Sequence, residues 1–315
     1  MYKQPGISII IPSYNSSGYL EETVRTLYEQ TNKNIEVIII DDGSTDNSVE
    51  VAEMLLAKFS LAGSVIRRPD TEPKGVASCR NIGVKKASHD WVSFLDSDDL
   101  FVADTIQKTI DNIVEYGHES GAFFHGVREF DDETNDTITL KILEFEQRPT
   151  DIFNKLINRN FITTSSVTLR KSLIEEIGYF DITLHGVEDY MLWLRVSKRT
   201  KWVYCKEVLT EYRVRRSSLM GGRRFQYYLE QNAKLIASIR GTGEFTDFDI
   251  TSIINYLDAT TKYYAMVSID RWGWSDFING ILFLKRTGKK ALAAELLKHH
   301  VRNNVLRKIS RIIKK

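Results

Sequence analysis

The chain has 315 residues, 42% hydrophobic and 27% charged, with a net charge of +1. That excludes a disordered or fibrous protein and leaves room for one large domain with an appendage. No run approaches the ~20 apolar residues of a membrane span, and the start of the chain lacks a signal-peptide layout, so a cytoplasmic protein is expected. Cys79 and Cys205 lie far apart without metal-ligand spacing and read as reduced core thiols. Charge is segregated. Residues 289–315 carry nine Lys/Arg against Glu295 alone, leaving 34 basic and 41 acidic residues elsewhere.

Residues 7–11 form an apolar strand pattern, ended by Pro12 and the polar run Ser13-Tyr14-Asn15-Ser16-Ser17-Gly18. A helix follows with Leu20, Val24, Leu27 and Tyr28 on its inner face. Residues 35–40 make a second strand, stopped by Asp41-Asp42-Gly43. Ser44-Thr45-Asp46-Asn47 then supplies caps for a helix with a stripe of Val49, Ala52, Leu56 and Phe59. A short third strand at 64–67, a helix of small residues at 75–87 and a fourth strand at 91–95 complete the pattern. Strands alternating with helices through short loops imply an α/β fold, with a mostly parallel central sheet covered by helices on both faces.

The second half is mixed. Residues 121–127 read as a strand, 131–136 as a hairpin turn, and 161–169 lead into a helix capped at Ser172. Another helix starts at 187–193, and 202–205 and 209–214 read as two short strands. The polar stretch 216–224 is the expected domain change, placing one domain at 1–220, with halves 1–100 and 101–220, and a C-terminal helical region at 221–315.

Ligands of open α/β sheets bind beyond the carboxyl ends of the strands, near the switch in strand order. Two of those ends are acidic here: Asp41-Asp42, and Asp96-Ser97-Asp98-Asp99. Clustered carboxylates are costly unless a cation or polar ligand satisfies them. A hard divalent ion prefers carboxylate oxygen and completes its shell with phosphates and water. The other reading of the same acids is an N-cap cluster for a helix at Ala103, with Asp99 as the cap.

Several segments carry a resemblance. They are residues 8–15 (SIIIPSYN), 37–46 (VIIIDDGSTD), 75–83 (GVASCRNIG), 94–99 (FLDSDD), 177–181 (IGYFD) and 188–195 (EDYMLWLR). In this order and spacing they resemble the family 2 glycosyltransferases of GT-A fold, over residues 7 to about 215. The resemblance implies a nucleotide-sugar site of Pro12, Tyr14, Asn15, Asp42, Gly75, Arg80, Asp96, Ser97 and Arg215. Within it Pro12 and Tyr14 line the base pocket, and Asp42 accepts from a uracil N–H. Arg80 bridges the acids or the diphosphate, and Asp96 holds ribose or sugar hydroxyls. Asp98 would bind a divalent cation, Mn²⁺ or Mg²⁺, that bridges the diphosphate.

By its position alone Asp189 reads as a helix-capping acid; the resemblance makes it the candidate catalytic base. It lies at a helix N-terminus, which stabilises a carboxylate, and should therefore be ionised and able to accept a proton. Glu188 is expected to position the acceptor, and Trp193 to stack on a sugar or fill the core. One base and one cation suffice for a single displacement, which inverts the anomeric carbon.

Two departures from the family pattern stand out. Arg215 occupies the place after Tyr212-Arg213-Val214 where many relatives carry His, which loosens the expected metal requirement. The Gln-x-x-Arg-Trp run of processive synthases is missing, which favours addition of a single sugar. The acceptor is then a glycan or lipid-linked glycan of cell-surface polysaccharide synthesis. The tail, with Leu297, Val301, Val305, Ile309 and Ile312 in a basic surround, reads either as a helix on an anionic membrane surface or as one packed on the domain. The first reading makes the protein peripheral on the inner face of the membrane. The C-terminal helices are a candidate oligomer interface, and nucleic acid fits poorly with an acidic catalytic half. Two rivals remain open: an inactive binding or scaffold protein of the same fold, and a Mg²⁺-dependent phosphoryl-transfer domain.

Overall fold

A computed structural model describes residues 4–215 and 225–298. The chain divides into two compact units, one of Met1–Leu156 with Asn160–Arg216 and one of Ile157–Arg159 with Ser217–Lys315.

In the first unit β1 (Ile7–Ser13), β2 (Ile35–Asp41), β3 (Gly63–Arg67) and β4 (Trp91–Phe94) alternate with α1 (Leu20–Tyr28), α2 (Ser48–Lys58) and α3 (Val76–Lys86). Then come β5 (Leu100–Phe101), α4 (Thr105–Tyr116), β6 (Ser120–Asp131), β7 (Thr137–Lys141) and a short α5 (Phe153–Leu156). A 3-10 turn at Thr164–Ser166 leads to β8 (Val167–Arg170), α6 (Lys171–Ile177), α7 (Glu188–Ser197) and β9 (Lys201–Val214). The strands form one sheet in the order β3-β2-β1-β4-β8-β6-β9-β5, with β7 beside β6.

The β3-β2-β1-β4 half is parallel, as the alternation implies. Beyond β4 the sheet is mixed: β8 runs antiparallel to β4 and β6, whereas β9 runs parallel to β6. The two strands expected at 202–205 and 209–214 are one 14-residue strand, bent past Gly126 by shifts in register. The 131–136 turn closes the β6–β7 hairpin, with Asp131 N–H donating to the Asp136 carbonyl.

Every residue of β1 is buried, and Ile7, Ile9 and Ile11 share one core with Val37, Ile39, Leu20, Val24, Leu27, Ala52 and Leu55. Each such side chain contributes about 1.5–3 kcal/mol by leaving water. Tyr28 does not belong to that face: it is exposed and stacks on Phe59 at 5.0 Å. Any Cβ at Gly83 would collide with Ile10, so this glycine lets α3 lie close on β1.

Pro12 marks where the sheet opens. β1 pairs with β4 only as far as Ile10↔Phe94, with Leu95 N–H donating to the Ile10 carbonyl, but stays with β2 to Ser13↔Asp41. Alternate residues of a strand face opposite neighbours, so the N–H that proline lacks points to the side β4 has left. The chain order also switches there, since β2 lies on one side of β1 and β4 on the other.

The second unit contains α8 (Phe225–Thr242) and α9 (Asp247–Arg286), with a core of Phe225, Leu229, Phe277, Ile281, Leu284, Leu292 and Leu296. A capping box, Thr246 with Asp249, starts α9. Leu297 packs partly buried against this core. The rest of the basic tail from 299, and the 216–224 stretch, lie outside the described residues. Among the described residues no helix is long and apolar enough to cross a membrane.

Candidate active site

The loops after β1, β2, β3 and β4 are tied to one another by short polar contacts. Asn15 adopts φ 49°, a left-handed conformation that Asn tolerates, and its Oδ1 accepts from Thr45 N–H at 2.8 Å while its own N–H donates to Ser44 Oγ at 2.9 Å. Ser16 N–H donates to Ser48 Oγ at 2.8 Å, and the hydroxyls of Ser16 and Ser97 lie 2.7 Å apart. These contacts join the first loop to the acidic turn. Tyr14 projects from the same loop with 54% of its surface exposed, an aromatic face open to a ligand.

Asp42 is already bonded on both oxygens. Its Oδ1 meets Arg68 Nε at 2.5 Å and its Oδ2 accepts from Gly75 N–H at 2.9 Å. Gly75 has φ +128°, which a side chain at that position would strain. Arg68 escapes a reading by motif; the signal for it is the register that sets Asp41 opposite Arg67, at the end of β3.

The acidic turn is held by arginines. Arg80, 3% exposed, donates from Nη2 to Asp96 at 2.8 Å and from Nη1 to Glu188 at 3.0 Å. Burial alone would lower its pKa, but Asp96 and Glu188 outweigh burial and raise it. Asp98 Oδ2 lies 2.6 Å from Arg215 Nη2. Burial, the larger influence, and Asp96 raise the Asp98 carboxyl against the pull of Arg215. Arg213 supports the turn from behind, donating from Nε to the Asp98 carbonyl at 2.8 Å and pairing with Asp132 and Glu22.

Two expectations, for Asp99 and Glu188, are corrected here, and of the two readings of Trp193 the core one holds. Asp99 does not cap a helix, since α4 starts at Thr105 with Asp104 at its cap. Instead Asp99 is buried, accepting from Ser165 Oγ at 2.5 Å and from Arg213 N–H at 3.0 Å, and burial together with Asp98 pushes its carboxyl well up. Glu188, 4% exposed, is held by Arg80 and Gly186 N–H and is not presented to an acceptor. Trp193, 0% exposed, packs edge-on against Phe180 and Trp202 at 6.1 and 5.9 Å, so its ring fills the core and offers no face to a sugar.

Asp189 is half-buried in the first turn of α7. Its Oδ2 accepts from Thr164 Oγ1 at 3.0 Å and its Oδ1 from Tyr190 N–H at 2.6 Å. Burial and, next, the neighbouring Glu188 push the carboxyl up to about 6; Arg80 and the two hydrogen bonds oppose them. The helix N-terminus therefore does not hold it at an ordinary value. At neutral pH it is still mainly ionised, yet basic enough to take a proton.

Thr164 is a second residue that motif reading misses. Its 3-10 turn serves two carboxylate groups, because Thr164 holds Asp189 while Ser165 Oγ accepts from Asp96 N–H at 3.1 Å and donates to Asp99. Thr164→Val removes a donor to the ionised form of Asp189. The expected result is a higher Asp189 pKa, read as movement of the acid limb of kcat/KM to higher pH, with Thr164→Ser restoring it. A limb that stays in place in Thr164→Val would show that Thr164 only supports the fold.

A divalent ion at the acidic turn would need substrate phosphates to complete its shell and would compete with Arg215 for Asp98. Among the described residues no group of three or more His, Cys, Asp or Glu is placed to hold a metal, and a guanidinium already sits on the Asp98 oxygen assigned to one.

The fold is that of the GT-A glycosyltransferases. It aligns with S. aureus TarS (residues 1–349, in complex with UDP-GlcNAc) at a TM-score of 0.70 and 17% identity, over 95% of this chain and 92% of that one. It also aligns with the mannosyltransferase PcManGT of Pyrobaculum calidifontis, in complex with GDP-Man and Mn²⁺, at a TM-score of 0.58 and 17% identity, over 95% and 81%. The sequence pattern of glycosyl transferase family 2 matches residues 8–178, more than half of the chain, and the chain belongs to that family.

Among curated relatives, the Escherichia coli glucosyltransferase WfgD, which acts from UDP-Glc on α-D-GlcNAc-diphosphoundecaprenol, is 29% identical over 68% of this chain and 79% of its own length. GlyA of Streptococcus pneumoniae is 28% identical over 68% of this chain but 31% of its own. An uncharacterized glycosyltransferase of Rickettsia bellii is 28% identical over 66% and 30%. The chain thus spans about a third of the length of several relatives it matches.

Proposed function

We propose that the protein transfers a single sugar from a nucleotide diphosphate sugar, of UDP type, to a hydroxyl of a glycan or lipid-linked glycan, with inversion at the anomeric carbon. The observation that carries this reading is Asp189: a carboxylate raised to about 6, connected through Glu188 and Arg80 to the acidic turn. UDP and a diphospholipid acceptor are favoured by the ligand of TarS and by the reaction of WfgD. Cell-surface polysaccharide synthesis follows as the setting, with the protein working at the inner face of the membrane.

In this reading Tyr14 lies against the base and Asp96 meets sugar or ribose hydroxyls with the part of its carboxylate that Arg80 leaves free. Asp189 removes the acceptor's hydroxyl proton as its oxygen bonds to C1, and the C1–O bond to the diphosphate breaks with its electron pair leaving on the nucleotide. Negative charge grows on the departing phosphate beside a turn whose cations are Arg80 and Arg215. A retaining double displacement needs a carboxylate nucleophile on the other face, and the residues assigned here provide only one free base.

Asp189 sets a pH signature. Protonation removes the base, so log kcat/KM should fall with unit slope below pH about 6 and level off above it. A donor-and-acceptor screen at fixed pH, followed by a profile from acid to neutral, checks both parts. A flat profile through pH 6 would remove Asp189 from the chemistry.

A further inference from the structure

Of the two carboxylates in the Asp96-Ser97-Asp98 turn, the inner one is neutralised by buried Arg80 and the outer one by Arg215. The two arginines of the β9 end differ in what they have left to give. Arg213 has every nitrogen engaged: its Nε, Nη1 and Nη2 go to the Asp98 carbonyl, Asp132 and Glu22. Arg215 pairs with Asp98 at 2.6 Å and lies over the Tyr19 ring at 4.6 Å, and its buried Nε has no acceptor among the described residues. A guanidinium has five N–H donors in a fixed fork suited to phosphate oxygens. Arg215 is thus aimed by Asp98 and Tyr19 with donors to spare. A divalent ion at the same Asp98 oxygen would sit directly against this fixed positive charge.

We propose that Arg215 is the counter-cation of the donor diphosphate, taking the position at Asp98 that a divalent ion would fill, so that a nucleoside diphosphate binds without metal. The inference rests on the nucleotide-sugar reading above. In it Asp98 positions a guanidinium instead of ligating an ion, and the terminal N–H groups that Asp98 leaves over meet a phosphate oxygen. Arg215 and a divalent ion then exclude each other at Asp98, and removing the side chain uncovers a site that prefers metal.

The test is UDP binding by calorimetry in EDTA and in Mn²⁺, with Mn²⁺ binding followed separately by electron paramagnetic resonance, on wild type, Arg215→Ala and Arg215→Lys. All three proteins are first matched by thermal unfolding. Wild type is expected to bind UDP within about threefold in the two conditions, and Arg215→Ala to bind it about 30-fold more weakly in EDTA, with Arg215→Lys between them. In Arg215→Ala, Mn²⁺ should restore much of the UDP affinity and should itself bind about tenfold more tightly than to wild type. A tenfold loss of UDP affinity by wild type in EDTA overturns the proposal. So does an Arg215→Ala protein that binds UDP in EDTA as wild type does, or equal Mn²⁺ affinity in the two. If wild type binds none of UDP, GDP, CDP or dTDP in either condition, the donor reading itself falls and the proposal with it.

Discussion

Asp189→Asn is expected to lower transfer by about 10³-fold while leaving donor affinity within a few-fold, because the amide keeps the shape of the site but cannot take a proton. The same substitution should stabilise the protein at alkaline pH. The folded carboxyl is raised from an ordinary 3.8 to about 6, so the fold favours the protonated form. Its contribution to stability is complete below pH about 4 and is lost as pH rises through about 6. Asparagine mimics the protonated state, so the variant and wild type should match at pH 4. At pH 8 the variant should be more stable by about 1–2 kcal/mol, a figure reduced for partial exposure and weaker hydrogen bonds. Unfolding midpoints at the two pH values, together with single-turnover rates, measure both effects. An inactive variant that is less stable at both pH values would mean that Asp189 serves the fold.

Arg80→Met should have the largest cost to folding. It leaves Glu188 buried without its counter-charge and Asp96 beside Asp98 with one cation fewer. Breaking one side of a buried ion pair costs about 3–5 kcal/mol. Arg80→Met with Glu188→Gln removes the orphaned charge and should recover a substantial part of that loss. Urea unfolding with unchanged slope is the measurement. A loss under about 1 kcal/mol in the single variant, within the range of an exposed pair, would show that the Arg80–Glu188 link is not the brace it is taken for here.

The parallel half of the sheet was readable because its strands are short apolar runs ended by Pro12, by Asp41-Asp42-Gly43 and by the acidic turn. β9 was not, because exposed Lys206 and Glu207 interrupt the apolar pattern at the bend, and only pairing with β6 shows that the strand continues. The same split runs through the site. Residue type and position after a strand were enough to single out the acids at 41–42 and 96–99, and the family resemblance chose Asp42, Asp96 and Asp98 among them and added Asp189. What each one touches depends on partners far along the chain: Arg68 for Asp42, Arg80 for Glu188, Arg215 for Asp98 and Thr164 for Asp189. Glu188 was assigned to the acceptor because its partner lies far away in α3, and Trp193 was left between stacking and core because periodicity cannot separate a core aromatic from a stacking one in a helix buried on most sides.

The proposed reaction is a single displacement at C1 with Asp189 as base. Its most direct test is the anomeric configuration of the sugar in the product, read by proton NMR after transfer from the nucleotide sugar that turns over. A linkage opposite in configuration to the donor's is expected, formed by wild type and not by Asp189→Asn. A product with the donor's own configuration, or one formed equally fast without the carboxylate, would contradict it.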